Sequence, residues 1–175
     1  EGVRQILSDN KVAPGEVDAV IHGTTLVANA LIERKGVKTG LITTRGFKDV
    51  LEIGREWRYD LFNLDIELPT PIVDRPDRHE ITERMESDGT ILTPLDLSEL
   101  DQIAKSLTAA GIESVGVFLL HAYRDASHEA AIRDYLVKIA PTLSVSLSSD
   151  VSPEMGEYER SSTTVANAYV HPIFK

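Results

Sequence analysis

The chain lacks cysteine, so disulfide bonds, thiolate catalysis and cysteine-bound zinc are excluded throughout its 175 residues. It also lacks a long apolar run: the longest covers residues 115–120, whereas a membrane-spanning helix needs about 20 residues. Basic clusters are missing as well, and 18 lysine and arginine residues against 28 acidic ones give a net charge of −10. Such a surface repels phosphate backbones. These absences argue against nucleic acid and membranes as partners and favour a cytoplasmic location.

Several sequence motifs of known enzymes are missing too. The chain contains no Walker phosphate loop, no dinucleotide-binding glycine pattern, no paired-histidine metalloprotease helix and no Gly-x-Ser-x-Gly elbow. Its five histidines, at positions 22, 79, 121, 128 and 171, do not have metal-ligand spacing. The sequence therefore predicts no metal site built from this chain, and no motif identifies a catalytic residue.

The composition that is present is typical of a folded domain. Hydrophobic residues make up 42% and charged residues 26% of the chain, which are ordinary values for globular proteins. A chain of 175 residues is long enough to bury a sizeable core. The first residue is not methionine, and residues 168–175 end the chain on largely apolar side chains. We therefore expect residues 1–175 to be one domain, incomplete at both ends, of a larger protein.

Extended and helical patterns alternate along the chain. Extended patterns predict strands at 17–21, 37–43, 115–120 and 143–147, and those at 17–21 and 115–120 are largely apolar. Amphipathic spacing predicts helices that begin near residues 26, 96, 127 and 154. Asp88-Gly89 between two extended runs predicts an antiparallel hairpin. The pattern indicates an α/β fold, a mixed sheet with flanking helices, in which a crossover pairs the first two strands in parallel.

His22, Thr24 and Thr25 form the first of three polar groups. They lie with Gly23 where the apolar run 17–21 stops and a helical pattern starts. Backbone N–H groups and hydroxyls at a helix start bind anions and carbonyl oxygens, so these residues are candidate substrate ligands. The alternative is that the threonines only cap the helix.

Arg55 and Arg58 form the second polar group. They stand at the head of an irregular stretch, 55–76, which we expect to be a long ordered loop. Two arginines that flank aromatic residues can bind a carboxylate or phosphate with paired hydrogen bonds. The alternative is a loop that surface ion pairs hold to the domain. Loops of this length inside compact domains are often functional.

Arg160, Thr163 and Asn167 form the third polar group, on the last predicted helix. Spacings of three and four residues place them, or Thr164 in place of Thr163, on one helix face. A stripe of this kind beside apolar residues indicates a polar cleft. The alternative is a capping segment at a helix start.

Three further residues surround the predicted helix that begins near residue 127. His121 ends the run 115–120, at the strand end where ligands of open α/β sheets bind, although a structural hydrogen-bonded histidine fits the same position. We expect His128 to belong to a helix cap and Glu129 to add favourable charge to the first turn. The complete set of predicted substrate-binding residues is His22, Thr24, Thr25, Arg55, Arg58, His121, Arg160, Thr163 and Asn167.

Five segments together resemble one protein family. They are 22–31, 40–47, 49–55, 119–121 and 157–170. In this order they are similar to the hydantoinase A / 5-oxoprolinase family over essentially the whole chain. The resemblance implies an ATP-dependent amidohydrolase that opens cyclic amides, such as hydantoins or 5-oxoproline, by phosphorylating the amide oxygen. It further implies the actin-like ATPase (ribonuclease H-like) fold, ATP and Mg²⁺ as cofactors of the full-length protein, and a partner subunit or domain of the hydantoinase B type.

The resemblance also implies what this chain does not contain. The family's glycine-rich phosphate-binding hairpin would precede Glu1, and its second nucleotide-binding half would follow Lys175. Residues 1–175 alone are therefore expected not to hydrolyse ATP or to hold a nucleotide tightly. Glu56 and Trp57 stand where relatives carry smaller polar residues, so the resemblance does not fix the substrate.

Two other functions stay open at this point. The chain could be a non-catalytic assembly or ATP-using module of an acetone or acetophenone carboxylase complex, with loop 55–76 as its docking surface. It could also belong to a sugar or acyl kinase of the same superfamily, although the five segments argue against this.

Overall fold

The computed structural model describes residues 2–19, 25–57, 60, 62–63, 65–67 and 69–174. The helices are α1 (Gly2–Asp9), α2 (Leu26–Ile32), α3 (Val50–Ile53), α4 (Leu100–Ala109), α5 (Ser127–Ile139), α6 (Ser148–Val151) and α7 (Glu157–Val170). The strands are β1 (Thr39–Thr44), β2 (Arg78–Ile81), β3 (Arg84–Met85), β4 (Ile91–Thr93), β5 (Ser114–Phe118) and β6 (Ser144–Leu147). Short 3₁₀ helices lie at Pro14–Glu16, Arg75–Asp77, Leu97–Glu99 and His171–Phe174.

Four parallel strands form the main sheet, in the order β2-β1-β5-β6. Leu41 of β1 lies opposite Arg78 of β2 and Gly116 of β5, and Val115 of β5 lies opposite Val145 of β6. Both central strands are buried along their whole length. Helices cover both faces of a parallel sheet, which explains the continuous apolar run of β5, whereas β1 buries three threonines beside Leu41 and Ile42.

Different helices pack on the two faces of this sheet. Ile42 packs with the apolar side chains of α4 and α5, whereas its neighbour Leu41 packs with Val165 of α7. Successive strand residues point to opposite faces, so α4 and α5 lie on one face and α7 on the other. A Cβ added at Gly116 of β5 would lie 3.4 Å from Thr164 Cγ2. This distance shows that α7 lies in direct contact with β5 at Gly116.

The Asp88-Gly89 turn joins β3 to β4, and the two strands pair antiparallel with Arg84 opposite Thr93. Gly89 has a φ of +94°, a conformation that glycine adopts without strain. The predicted hairpin is confirmed. It forms its own two-stranded sheet, so the parallel and antiparallel pairs belong to separate sheets.

The start of the chain differs from the prediction. Residues 17–19 follow the 3₁₀ helix Pro14–Glu16 and are not in a strand, and the rest of the predicted strand 17–21 lies outside the described residues. The neighbours of β1 are β2 and β5, so the described residues do not contain the predicted pairing of β1 with that strand. Of the helices described here, none is long and apolar enough to cross a membrane.

Candidate functional site

The carboxyl ends of the four parallel strands lie at one edge of the main sheet. β1 ends at Thr44, β5 ends at Phe118, and β6 leads directly into α6. Helices α3 and α7 follow β1 and α6, so both begin at this edge. Ligands of open α/β sheets bind outside the carboxyl ends of the strands. This edge is therefore the candidate functional site.

Arg160, in the first turn of α7, is buried at the centre of this edge, with 1% of its surface exposed. Its Nη2 donates to the Leu119 carbonyl oxygen (3.2 Å) and to Ser148 Oγ (2.5 Å). The guanidinium carbon lies 5.1 Å from the centroid of the Phe118 ring, within cation–π range. Burial lowers the pKa of Arg160. Within the described residues, Nε of Arg160 has no hydrogen-bond partner.

Glu129 supplies the buried negative charge opposite Arg160. Its Oε1 lies 3.8 Å from Arg160 Nη2 and accepts hydrogen bonds from Leu119 N (2.9 Å) and Ser148 Oγ (2.6 Å). Its Oε2 accepts from Ser149 N (2.8 Å). A buried charge is tolerated only where it is paired and hydrogen-bonded. One carboxylate thus holds the end of β5, the start of α6 and the start of α7 together.

Glu83 and His128 form a second buried network beside the first. His128 Nδ1 lies 2.9 Å from Glu83 Oε2, and Thr44 Oγ1 donates to Glu83 Oε1. The same threonine oxygen accepts from Leu120 N (3.0 Å). This network fixes the end of β1 against the end of β5.

His121 follows β5 with a left-handed backbone, at a φ of +56°. Non-glycine residues rarely adopt this conformation, and it is concentrated at functional sites and tight turns. The imidazole ring meets the Tyr123 ring edge to face, with centroids 5.9 Å apart. The Tyr123 ring in turn lies 5.5 Å from the Arg160 guanidinium carbon. The half-buried imidazole therefore lies at the sheet edge and packs on Tyr123, which in turn packs on the buried Arg160.

Arg55 fastens the head of loop 55–76 to α7. Its Nε lies 2.5 Å from Glu159 Oε1, and both side chains are about half exposed. The hydrogen bond from Arg55 lowers the pKa of the Glu159 carboxyl. The guanidinium carbon of Arg55 also lies 5.3 Å from the centroid of the Trp57 ring. Arg55 thus reaches the residue next to Arg160 in sequence.

A cleft of about 560 Å³ opens between α3, loop 55–76 and the start of α7. Its apolar walls are Leu51, Ile53, Trp57, Ile66, Pro69 and Tyr158. Arg55 lines this cleft and also an adjoining hollow at the start of α7. A wall of this composition suits a small, mostly apolar ligand that needs a few polar contacts.

Parts of two predicted polar groups, together with His121, meet at this edge. Arg55 of the second group pairs with Glu159, directly before Arg160 of the third group. His121 contacts Tyr123, whose ring faces Arg160. The ion pair also agrees with the alternative for the second group, a loop held to the domain by surface charges.

The remaining members of the third group point in different directions. Thr163 is exposed, whereas Thr164 is buried and donates to the Arg160 carbonyl oxygen (2.6 Å). Asn167 Nδ2 donates to Ser146 Oγ of β6 (3.0 Å). The stripe therefore faces the sheet through Arg160, Thr164 and Asn167, and Thr163 does not share that face.

Thr25 is the member of the first polar group that the structure describes. It is exposed and occupies the N-cap of α2, but its side chain makes no capping hydrogen bond. The other two members, His22 and Thr24, lie outside the described residues, as does Arg58 of the second group.

The prediction that His128 belongs to a helix cap is wrong. The N-cap of α5 is Ala126, and His128 points inward to Glu83. Glu129 lies in the first turn as predicted, but its carboxylate is fully buried. The Glu129 carboxylate is buried because Leu119 N, where β5 ends, needs a buried hydrogen-bond acceptor.

Sequence reasoning missed the buried roles of Glu129, Glu83, Thr44 and Ser148. A signal for the first was available, because residues 129, 132 and 136 share one helix face at spacings of three and four. No comparable pattern connects Glu83 with Thr44. Among the described residues, no group of three or more histidine, aspartate or glutamate side chains is arranged to hold a metal ion.

Comparison with known proteins gives one matching family model, described as the hydantoinase/oxoprolinase N-terminal region, over residues 1–140. The 5-oxoprolinase of Saccharomyces cerevisiae is 33% identical over 211 residues, which cover 100% of this chain and 16% of that protein. Caprolactamase subunit alpha of Pseudomonas jessenii is 34% identical over 178 residues, 98% of this chain and 26% of that subunit.

Two solved structures resemble the fold described above. The crystal structure of ATP-dependent caprolactamase from Pseudomonas jessenii matches with a TM-score of 0.83 and 32% identity, over 98% of this chain and 26% of that one. The nucleotide-free structure of acetone carboxylase matches with a TM-score of 0.81 and 28% identity, over 95% and 26% respectively. The predicted α/β architecture of the actin-like ATPase fold is confirmed. The chain spans about a quarter or less of the length of these relatives.

Proposed function

Because the chain belongs to the hydantoinase/oxoprolinase family, we propose that residues 1–175 are the N-terminal domain of an ATP-dependent hydrolase that opens cyclic amides. The relatives named 5-oxoprolinase and caprolactamase support this reaction class. Because the chain matches only part of each relative, the activity belongs to the whole protein, and residues 1–175 alone are proposed to be inactive.

The observation that carries the proposal is the convergence at the sheet edge. Arg55 follows α3 and pairs with Glu159 at the start of α7, whereas His121 follows β5 and contacts Tyr123, whose ring faces Arg160 one residue after Glu159. Arg55 also lines an apolar cleft large enough for a lactam or hydantoin ring. A ring amide needs a hydrogen-bond donor for its oxygen and an apolar surface for its ring.

ATP is the co-substrate in the proposed reaction. Its terminal phosphorus bonds to the amide oxygen while the bond to ADP breaks, which makes the amide carbon electrophilic. Water adds to that carbon, the carbon–nitrogen bond breaks, and the ring nitrogen takes a proton. A second water hydrolyses the resulting acyl phosphate to a carboxylate and phosphate. Charge develops on oxygen, so each preorganised donor is worth about 3–4 kcal/mol.

Arg55 and His121 are the described residues that we propose to contact the substrate, because both side chains are accessible at the edge. Arg160 is buried, so its proposed role is to position Tyr123 and the end of β5 behind His121. The remaining residues of the predicted set, Thr25, Thr163 and Asn167 with His22, Thr24 and Arg58, stay predictions from the sequence.

The proposal includes three further expectations for the whole protein. Mg²⁺ accompanies ATP, but the described residues offer no cluster to hold it, so no step above uses a metal ion bound by them. A hydantoinase B-type subunit or domain is the proposed partner, which fits the relative named as an alpha subunit. The cysteine-free composition supports a cytoplasmic location.

Replacing His121 by asparagine in the full-length protein is expected to lower kcat by about 100-fold, the usual cost of losing one catalytic hydrogen-bond donor. Asparagine tolerates the left-handed backbone better than most residues, so the loop is expected to keep its shape. The measurement is lactam-dependent release of ADP together with the ring-opened product, with the partner subunit present.

The matched control is His171→Asn, because His171 is exposed at the opposite end of α7. Its kcat is expected to stay at the wild-type value. A His121→Asn enzyme with a kcat within twofold of wild type would remove His121 from the proposed site.

A non-catalytic assembly module of a carboxylase-type complex is the second candidate function. The observation that favours it is the exposure of two aromatic side chains on loop 55–76: Trp57 is 77% exposed and Phe62 is 93% exposed. Exposed aromatic residues are typical anchors of protein–protein interfaces.

For this second candidate, Phe62→Ser is expected to weaken binding of the partner subunit by about 30-fold, the effect of losing a buried aromatic anchor. The measurement is titration of the purified partner by calorimetry. Leu92→Ser is the control, because Leu92 is 64% exposed on β4, outside the loop. Equal affinities for the two variants would contradict docking through loop 55–76.

A further inference from the structure

Among the described residues that line the cleft and the hollow beside it, carboxylates outnumber arginines. The described lining residues with acidic side chains are Asp49, Glu52, Glu56, Glu157 and Glu159. Asp49 pairs with Arg75, and Glu52 pairs with the buried Arg78. Arg55 is the cationic side chain among these described lining residues. After these pairings, the described lining residues keep a surplus of negative charge.

Arg55 is already engaged inside this acidic wall. Its Nε donates to Glu159 Oε1 at 2.5 Å, and its guanidinium stacks near the Trp57 ring. A ligand carboxylate that bound the Nη groups of Arg55 would lie beside the Glu159 carboxylate, which already accepts from Nε. Two carboxylates close together repel each other, and the repulsion is stronger in a cleft with apolar walls than in open water.

The rest of the cleft suits methylene groups. Leu51, Ile53, Ile66 and Pro69 supply apolar surface, and the Trp57 ring is 77% exposed. A ring amide without a carboxylate can bury its CH₂ groups here, which favours binding. A carboxylate on the same ring would lose hydration against these walls.

We propose that the Arg55–Glu159 pair determines substrate specificity, so that the cleft admits neutral ring amides and excludes ring amides that carry a carboxylate. This inference rests on the function proposed above and deepens it. The Glu159 carboxylate balances the charge of the guanidinium that would otherwise attract a substrate carboxylate. The pair thus selects lactams and hydantoins over 5-oxoproline.

The test compares two substrates of the full-length protein with ATP and the partner subunit. We expect kcat/KM for ε-caprolactam, a neutral lactam, to exceed that for 5-oxoproline by at least about tenfold, which corresponds to about 1.4 kcal/mol. Rising salt concentration screens like charges, so KM is expected to fall for 5-oxoproline and not for caprolactam.

The specificity variant is Glu159→Gln, which removes the negative charge beside Arg55 with little change in shape. The ratio of kcat/KM for 5-oxoproline to that for caprolactam is expected to rise by about tenfold, equivalent to about 1.4 kcal/mol. Glu154→Gln is the control, because Glu154 precedes α7 and does not line the cleft. Its ratio is expected to equal that of wild type.

The outcomes separate the two proposals. If neither ring amide is turned over, the proposed function fails and the specificity inference falls with it. If 5-oxoproline is turned over as well as caprolactam, the function stands and the inference is overturned. The inference is likewise overturned if Glu159→Gln leaves the ratio unchanged. If that variant does not fold, the salt dependence of the wild-type KM tests the inference instead. A KM for 5-oxoproline that does not fall as salt rises overturns the inference.

Discussion

Replacing Arg160 by methionine is expected to destabilise the folded protein by about 3–5 kcal/mol, because the change leaves a buried carboxylate without its cation. Glu129 is completely buried, and its Oε1 lies 3.8 Å from Arg160 Nη2. The Leu119 carbonyl oxygen and Ser148 Oγ would lose a donor at the same time. Methionine has a similar length and keeps the apolar stem packed. The measurement is urea denaturation followed by circular dichroism.

A double-mutant cycle separates the ion pair from the packing. Glu129→Gln removes the buried negative charge and keeps an oxygen that can accept from Leu119 N. Adding it to Arg160→Met is expected to recover part of the lost stability, because replacing both partners of a buried pair costs less than removing one. If the two single losses add without any recovery, Glu129 and Arg160 are not coupled.

The same buried pair explains why the candidate site is only partly predictable from the sequence. Arg160 stands in a hydroxyl-rich stretch at helical spacing, which is a local signal. Its partners come from three other segments, the end of β5, the start of α5 and the start of α6. No local pattern connects such distant residues, and only the packing of α7 against the sheet brings them together.

The fold is more predictable than the site because its signals are local. Amphipathic spacing marks α4 and α7, and Asp88-Gly89 marks the hairpin between β3 and β4. The strand order is not a local property: β1 lies between β2 and β5, which requires contacts across more than 70 residues, such as Gly40 with Val115. Periodicity indicates that a strand exists and does not indicate its neighbours.

Arg78, at the start of β2, binds the segment around α3, which lines the cleft. Its Nε and Nη2 donate to the Val73 carbonyl oxygen (3.0 and 2.6 Å). Its Nη1 donates to the Lys48 carbonyl oxygen (3.4 Å) and to the Glu52 carboxylate. One buried guanidinium therefore holds both ends of α3 to the sheet, and Arg55 follows α3 directly.

Arg78→Met is accordingly expected to lower the stability by about 3 kcal/mol, the cost of losing charge-assisted hydrogen bonds and leaving a buried carbonyl oxygen without a donor. For a chain of this size, that loss corresponds to a fall in Tm of roughly 6–12 °C, measurable by calorimetry. Arg75→Met is the matched control: Arg75 binds Asp49 at the start of α3 from an exposed position, where ion pairs contribute little. Because α3 carries Arg55 into the cleft, Arg78→Met is also expected to raise KM for the ring amide more than Arg75→Met does. Equal melting temperatures for the two variants would show that the buried guanidinium does not hold α3 in place.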